Sequence, residues 1–308
     1  MNGEPTVSVV IPTMNRADRL ERAVESVVNQ TYDDIEIVVV DGGSTDRTPD
    51  LVSEYQQRLG KTRVTYLRNE NPQGLPAARN QGVRATDADL LAFLDDDDRW
   101  EPSKTERQVK QFQSRPDIGL SYTGRVSRND DGKHVHTARP SLEGEVFPAL
   151  LVRNHIGSPS RVMVSAAAFD AVGGFDAGLK YQEDWEFYLR IAREYSIGCI
   201  SDPMVVRTAH EGGMSRDAER QKRHREMILD RYESALRQHG VYDRSWATHH
   251  VDTAVAHFLD GDIEAVRREL STTFRYQITP KAFLLYLVSL LGSRGFRLVL
   301  GMKRRLAR

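Results

Sequence analysis

The sequence predicts an α/β protein: a mixed, mostly parallel sheet with helices on both faces, followed by a helical C-terminal region. Three observations carry this. Short apolar runs alternate four times with amphipathic stretches over the first 112 residues, a hairpin signal follows, and the chain beyond residue 217 reads as helix. Consecutive βα units imply parallel strands, because parallel neighbours need crossovers that helices on the sheet faces supply.

VSVVIPT (7–13) is a buried-strand run stopped by Pro12, after which Leu20, Ala23, Val24, Val27 and Val28 fall at helical spacing. The unit recurs three times: IEIVVVDG (35–42) before DLVSEYQQRL (50–59), RVTYLRN (63–69) before PAARNQGVRA (76–85), and LLAFLDDDD (90–98) before SKTERQVKQF (103–112). Pro76 suits the first turn of the third helix. Then the pattern changes. IGLSYTGRVSR and HVHT flank the turn signal NDDGK (129–133), which predicts an antiparallel hairpin with Asp131-Gly132 at its tip. A strand and helix in SRVMVSAAAFDAVGGF (160–175), a helix over 183–195 and a strand over 197–210 complete a domain expected to span 1–216. An accessory region over 217–308 is broken most clearly at DGD (260–262) and Pro280.

Composition narrows the functional classes. Lys+Arg 43 against Asp+Glu 44 leaves a net charge of −1, so no global field argues for nucleic acid, and no such partner is expected. The single cysteine, Cys199, excludes an internal disulfide and any multi-cysteine metal site, and fits a reducing compartment. MNGEPTVSVVIPT lacks the basic and long apolar segments of a signal peptide, so the protein reads as cytoplasmic.

In open parallel sheets ligands bind beyond the carboxyl ends of the strands. Those ends read PTMNR (12–16), DGGSTD (41–46), NENPQGLPAARN (69–80) and the run Asp95, Asp96, Asp97, Asp98. No G-x-G-x-x-G follows the first strand and no G-x-x-x-x-G-K-[ST] occurs, which argues against a dinucleotide dehydrogenase and a P-loop ATPase. Two carboxylates ~6 Å apart repel by roughly 2.5–3 kcal/mol at an effective dielectric near 20, so four together call for a cation. Mg²⁺ or Mn²⁺ with a phosphorylated ligand would serve, and Arg79 or Arg99 could pair with others of the run. If extended geometry continues through the run, Asp95 and Asp97 face one way and Asp96 and Asp98 the other. Glu183 and Asp184 open the 183–195 helix, either as favourable acids at its N-terminus or as a general base at the mouth of a cleft.

VSVVIPTMNR, VVVDGGSTD, NPQGLPAARNQG, FLDDDD, GGFD (173–176) and QEDWEFYLR, in that order, resemble the family 2 glycosyltransferases of GT-A fold over about residues 5–216. The resemblance implies transfer of a sugar from a nucleotide-diphosphate donor, most often a UDP-sugar, to an acceptor hydroxyl, with inversion and with Mg²⁺ or Mn²⁺. It places Pro12, Thr13 and Asn15 in the nucleotide pocket, Asp41 on the base, Gly74 and Arg79 beside the nucleotide, and Asp95 and Asp96 near ribose and phosphate. Asp97 takes the metal-ligand place of a D-x-D arrangement, Asp184 that of the catalytic base, and Glu183 that of its neighbour. Arg207 and His210, in VVRTAHEGGMS (205–215), would reach the diphosphate or metal.

The most apolar stretch, KAFLLYLVSLLGSRGFRLVLGMKRRLAR (281–308), is interrupted by Gly292, Arg294 and Arg297, too early for a span of ~20 apolar residues. Its basic residues suit either an anionic membrane surface or the solvated end of a helix packed on its neighbours. The expected acceptor is a lipid-linked glycan or polysaccharide. AVAHFLDGDIEAVRRELSTTF resembles a single helix hairpin of the tetratricopeptide kind. Two rival readings remain at this point. A sugar nucleotidyltransferase would use Arg16 and Arg19 in the first βα loop but lacks the glycine-rich signature there. A catalytically silent sugar-nucleotide or membrane-binding module would have no need of Asp184 or the aspartate run.

Overall fold

The computed structural model describes residues 4–60, 63–129, 132–209, 218–290 and 292. The chain divides into two compact units, 1–150 with 154–211 and 151–153 with 212–308.

The first unit is built on strands β1 (Val7–Thr13), β2 (Ile35–Asp41), β3 (Val64–Arg68), β4 (Leu90–Phe93), β5 (Asp98–Trp100), β6 (Ile118–Asn129), β7 (His134–Ala138), β8 (Val162–Ser165) and β9 (Ser196–Ala209). Their spatial order is β3-β2-β1-β4-β8-β6-β9-β5, with β7 paired to β6. The β3-β2-β1-β4 half is parallel, while β8 runs antiparallel to both β4 and β6. The sheet is therefore mixed and mostly parallel, flanked by helices, as the alternation of the first 112 residues requires.

Both faces of β1 are covered, so its residues are buried without alternation. On one face Val7, Val9 and Ile11 join Leu20, Ala23 and Val24 of α1 (Ala17–Val28) and Leu51, Val52 and Tyr55 of α2 (Thr48–Leu59) in one core. On the other, α3 (Leu75–Val83) lies so close that a Cβ on Gly82 would fall 2.3 Å from Val10 Cγ1. The fourth crossover helix is α4 (Lys104–Ser114).

The aspartate run departs from its expected geometry. β4 ends at Phe93, and a turn closed by Asp98 N–H donating to the Asp95 carbonyl (3.0 Å) leads into β5, which pairs antiparallel with β9. The like charges and the reversal required to reach β9 break the strand that the apolar run alone suggested. The burial alternation survives the turn: Asp96 and Asp98 are buried, Asp95 and Asp97 partly exposed. The β6–β7 hairpin forms, though Asp131 at its tip lies outside the described residues. Helix α5 (Phe147–Val152), in FPALLV, is too short to leave a periodic signal. α6 (Ala166–Val172) and α7 (Glu183–Glu194) follow.

The second unit comprises α8 (Ala218–Arg231), α9 (Glu233–Gln238), α10 (Tyr242–Leu259), α11 (Ile263–Thr273) and α12 (Pro280–Leu290). The DGD break turns α10 into α11, where Asp262 caps the new helix by accepting from Ala265 N–H at 2.9 Å. Val251, Ala254, Val266, Leu270, Ala282, Leu285 and Val288 form its core. The paired histidines gain acidic partners: His249 Nε2 lies 3.3 Å from Glu226 and His250 Nδ1 2.6 Å from Glu269.

Candidate active site

The polar residues at the carboxyl ends of β1, β2 and β4 are tied together by side-chain hydrogen bonds. Asp41 ends β2 and is fully buried; its Oδ1 accepts from Ser44 N–H (2.9 Å) and Oγ–H (2.6 Å), and its Oδ2 accepts from the Tyr66 hydroxyl. Ser44 Oγ in turn accepts from Asn15 N–H at 2.8 Å, and Asn15 Oδ1 accepts from Thr45 N–H at 2.7 Å. Asn15 has φ 53° and is exposed, on a loop that leaves β1 at the buried Pro12 and Thr13. Asp46 fastens the same loop, accepting from Ala17 N–H at the start of α1 and from Thr48. Gly74, φ 96°, caps α3 at the exposed end of the β3 loop.

Each member of the aspartate run has its own surroundings. Asp95 accepts from Arg79 Nη2 at 2.8 Å. Asp96 accepts from Thr13 Oγ1–H at 2.8 Å and from Arg16 Nη1 at 3.0 Å; burial pushes its pKa up, against the pull of Arg16. Asp98 is buried with no hydrogen bond to Oδ1, and burial together with the Asp95 charge pushes its pKa up to about 8. Asp97 stays partly exposed, in a pocket of about 190 Å³ whose rim carries Arg19, Arg22, Arg99 and Arg128. Protein cations thus meet much of the repulsion that the sequence assigned to a metal.

Arg79 is the centre of the arrangement. Only 1 % exposed, it spans from Asp95 to Glu183, whose Oε1 accepts from Nη1 at 2.9 Å. Burial opposes its charge, but the two carboxylates outweigh burial and raise its pKa. Its guanidinium lies over the Phe175 ring at 5.5 Å. Phe175 is held by Asn80, which donates to the Phe175 carbonyl (2.7 Å) and accepts from its N–H (2.8 Å). Gly174, φ 71°, makes room for this clamp, since a Cβ there would meet Asn80 Oδ1 at 2.8 Å. The GGFD stretch therefore anchors α3 to the segment leading into α7.

At the start of α7, Trp185 is buried and its Nε1–H donates to the Leu150 carbonyl at 2.8 Å, fixing the helix end that carries Glu183 and Asp184. Burial first, and the Glu183 carboxylate second, push Asp184 up to about 7. Asn154 Nδ2 stands 3.5 Å from Asp184 Oδ2. The buried Tyr188 hydroxyl lies one turn on without a hydrogen bond, and burial and Asp184 raise its pKa.

The structure thus unites Thr13, Arg79, Asp95, Asp96, Glu183 and Asp184 in two short chains of contacts. Asn15 and Asp41 form a third, on the adjoining strand ends, while His210 lies outside the described residues. The sequence points to Arg16 only under the rival nucleotidyltransferase reading and does not single out Ser44, Tyr66 or Asn154. Arg16 carried a signal, being a basic residue in the first βα loop; Asn154 carried none, since its proximity to Asp184 is created only by the fold.

Among the described residues no cluster of three or more histidine, cysteine or carboxylate side chains could hold a metal alone. A single partly exposed carboxylate such as Asp97 fits the chemistry of Mg²⁺ or Mn²⁺ taken with a phosphorylated ligand, because such ions use one or two carboxylates and complete their shell from phosphate and water.

Known proteins bear on both fold and family. The structure is similar to Staphylococcus aureus TarS residues 1–349 in complex with UDP-GlcNAc, with a TM-score of 0.64 and 18 % identity, covering 97 % of this chain and 92 % of that one. It is also similar to the mannosyltransferase PcManGT of Pyrobaculum calidifontis in complex with GDP-Man and Mn²⁺, with a TM-score of 0.61 and 20 % identity over 94 % and 81 % of the two chains. An uncharacterized glycosyltransferase of Haemophilus influenzae is 27 % identical over 242 residues, 77 % of this chain and 80 % of that protein. A Rickettsia felis glycosyltransferase is 33 % identical over 67 % of this chain, which spans only 33 % of that longer protein. A Bacillus subtilis protein named for teichuronic acid biosynthesis, TuaG, is 35 % identical over 139 residues, 44 % of this chain and 54 % of its own. The family model described as "Glycosyl transferase family 2" matches residues 8–173, and on that match, carried by a GT-A-like fold, the chain belongs to glycosyl transferase family 2.

Proposed function

We propose that the protein transfers a sugar from a nucleotide-diphosphate donor to an acceptor hydroxyl on a polysaccharide or lipid-linked glycan, with inversion. The observation that carries this reading is the Arg79 bridge between Asp95 and Glu183, which holds the aspartate loop and the Asp184 carboxyl in one assembly. Asp184 is the base: with a pKa near 7 it takes the acceptor proton as the hydroxyl oxygen attacks the anomeric carbon. The bond to the diphosphate oxygen breaks with its electron pair leaving on the diphosphate, and this single displacement inverts the centre. No covalent glycosyl intermediate is needed. Asn154 orients Asp184, and Glu183, committed to Arg79 through Oε1, positions the helix end.

Pro12, Thr13, Asn15, Asp41 and Gly74 are assigned to the nucleotide, with Asp95 and Asp96 toward ribose and phosphate. Asp41 acts there from within the loop that Ser44 closes, and Arg79, buried between carboxylates, acts by positioning. Asp97 is the residue that would hold Mg²⁺ or Mn²⁺, which would supply Lewis-acid neutralisation of the departing diphosphate; His210, the other residue assigned to the metal, lies outside the described residues. Support for a uridine donor comes from TarS, whose structure holds UDP-GlcNAc; support for the metal comes from the Mn²⁺ complex of the mannosyltransferase; support for a polymer acceptor comes from the name of TuaG.

The test is a panel of UDP-, GDP- and dTDP-sugars with Mn²⁺ or EDTA, read by thermal shift and slow donor hydrolysis. Stabilisation by a UDP-sugar that EDTA removes is expected. No stabilisation of the folded protein by any nucleotide sugar would overturn the reading.

A further inference from the structure

α12 is apolar over most of its circumference, interrupted by Lys281 and Ser289, and only part of that apolar surface is covered. Ala282, Leu285 and Val288 enter the core with α10 and α11. Phe283, Leu284, Leu287 and Leu290 are 50, 55, 44 and 53 % exposed. At 100° per residue these four fall within one arc of the helix, and exposed Pro280 falls in the same arc. Ile278, just before the helix, is 70 % exposed. A contiguous apolar face of this kind marks an interaction surface, whereas single exposed leucines do not.

The surrounding charge says what covers it. Glu269 is the last acid in the sequence; Arg275, Lys281, Arg294, Arg297, Lys303, Arg304, Arg305 and Arg308 follow with no aspartate or glutamate among them. The whole chain has a net charge of −1, so everything before this segment is net negative. An apolar strip set in purely basic sequence is complementary to an interface that is apolar beneath and anionic at its surface. A second copy of the same face would meet it with like charge. No described helix is long and apolar enough to cross a membrane.

We infer that the exposed face of α12, through Phe283, Leu284, Leu287 and Leu290, docks the protein on an anionic lipid bilayer, and that the basic sequence following the helix adds electrostatic attraction to the headgroups. The leucines and phenylalanine supply apolar burial, and each basic residue near an anionic surface adds attraction that falls off within a Debye length. Neither contribution involves the proposed transfer site, so the inference stands or falls independently of it.

The experiment is co-sedimentation of the full chain with phosphatidylcholine vesicles, with and without phosphatidylglycerol, at low and high salt. Binding is expected only to the anionic vesicles and weaker at high salt. The double variant Leu284→Glu, Leu287→Glu, at exposed positions and checked for an unchanged melting temperature, should bind about tenfold or more weakly. A second variant, Arg304→Glu with Arg305→Glu, should weaken binding without touching the described helix. Equal binding by wild type and both variants, or no binding to either vesicle, would overturn the inference. So would a concentration-dependent dimer that the leucine variant abolishes, since the face would then belong to a second copy.

Discussion

Arg79 Nη1 and Glu183 Oε1 lie 2.9 Å apart although 104 residues separate them in sequence, and the other Arg79 amino group holds Asp95 at 2.8 Å. The pair joins a helix that follows β3 to a helix that follows a glycine turn, so one buried cation decides whether the aspartate loop and the α7 carboxylates share a site.

Arg79→Ala leaves two carboxylates without their buried cation and should cost about 3–5 kcal/mol in urea denaturation. Arg79→Lys keeps the charge but lacks the planar fork that serves both acids. It should recover part of the stability while losing most of the transfer rate. A lysine variant with wild-type turnover would contradict the positioning role.

The raised pKa of Asp184 makes two pH predictions. As a base it works when ionised, so kcat/KM should rise with pH through about 7. Its contribution to stability has the opposite slope. The folded carboxyl holds its proton up to about 7 while an unfolded aspartate releases it near ~3.9, so this contribution is present below ~3.9 and is lost as pH rises toward 7. Asp184→Asn should lower the transfer rate about 10²–10⁴-fold and be no less stable than wild type above pH 7, in melts across pH 4–8.

Asp97→Ala should abolish the Mn²⁺-dependent, EDTA-sensitive stabilisation by donor, because the side chain is partly exposed in its pocket. Melting without ligand should change by less than about 1 kcal/mol. Asp96→Ala behaves differently, since it strips Thr13 and Arg16 of a buried acceptor and should cost about 1–3 kcal/mol even without ligand. Calorimetry on the two variants separates an acid that acts only through bound ligand from one that also holds its neighbours in the free protein.

Gly82→Ala places a methyl 2.3 Å from Val10 Cγ1 and 3.2 Å from Val40 Cγ2. Overpacking at the α3 contact with the sheet should cost about 1–3 kcal/mol or more in urea denaturation. Because α3 carries Arg79, donor stabilisation should weaken with it.

The fold was legible in sequence where local signals are strong. Four apolar runs with helical stretches between them determine β1 to β4 and their crossovers, because parallel strands admit few connections. The acids of the candidate site were legible as residue types, as was Arg79 as one available partner. The division of labour within the aspartate run was not. Extended geometry already puts Asp95 and Asp97 on one side and Asp96 and Asp98 on the other, but which pair is buried, and that Thr13 and Arg16 take Asp96, follows only from packing around the turn into β5.

By itself the sequence determined an α/β sheet with its polar residues gathered at the strand ends, a helical C-terminal region and the ordered motifs of its family, since periodicity and spacing are properties of neighbours along the chain. The tertiary structure alone decided that Arg79 serves both Asp95 and Glu183, that Asn154 faces Asp184, that the two glutamates Glu226 and Glu269 meet His249 and His250, and which face of α12 stays uncovered. Those relationships depend on packing between distant segments, where burial sets the strength of each charge and the backbone path sets which partner lies within reach.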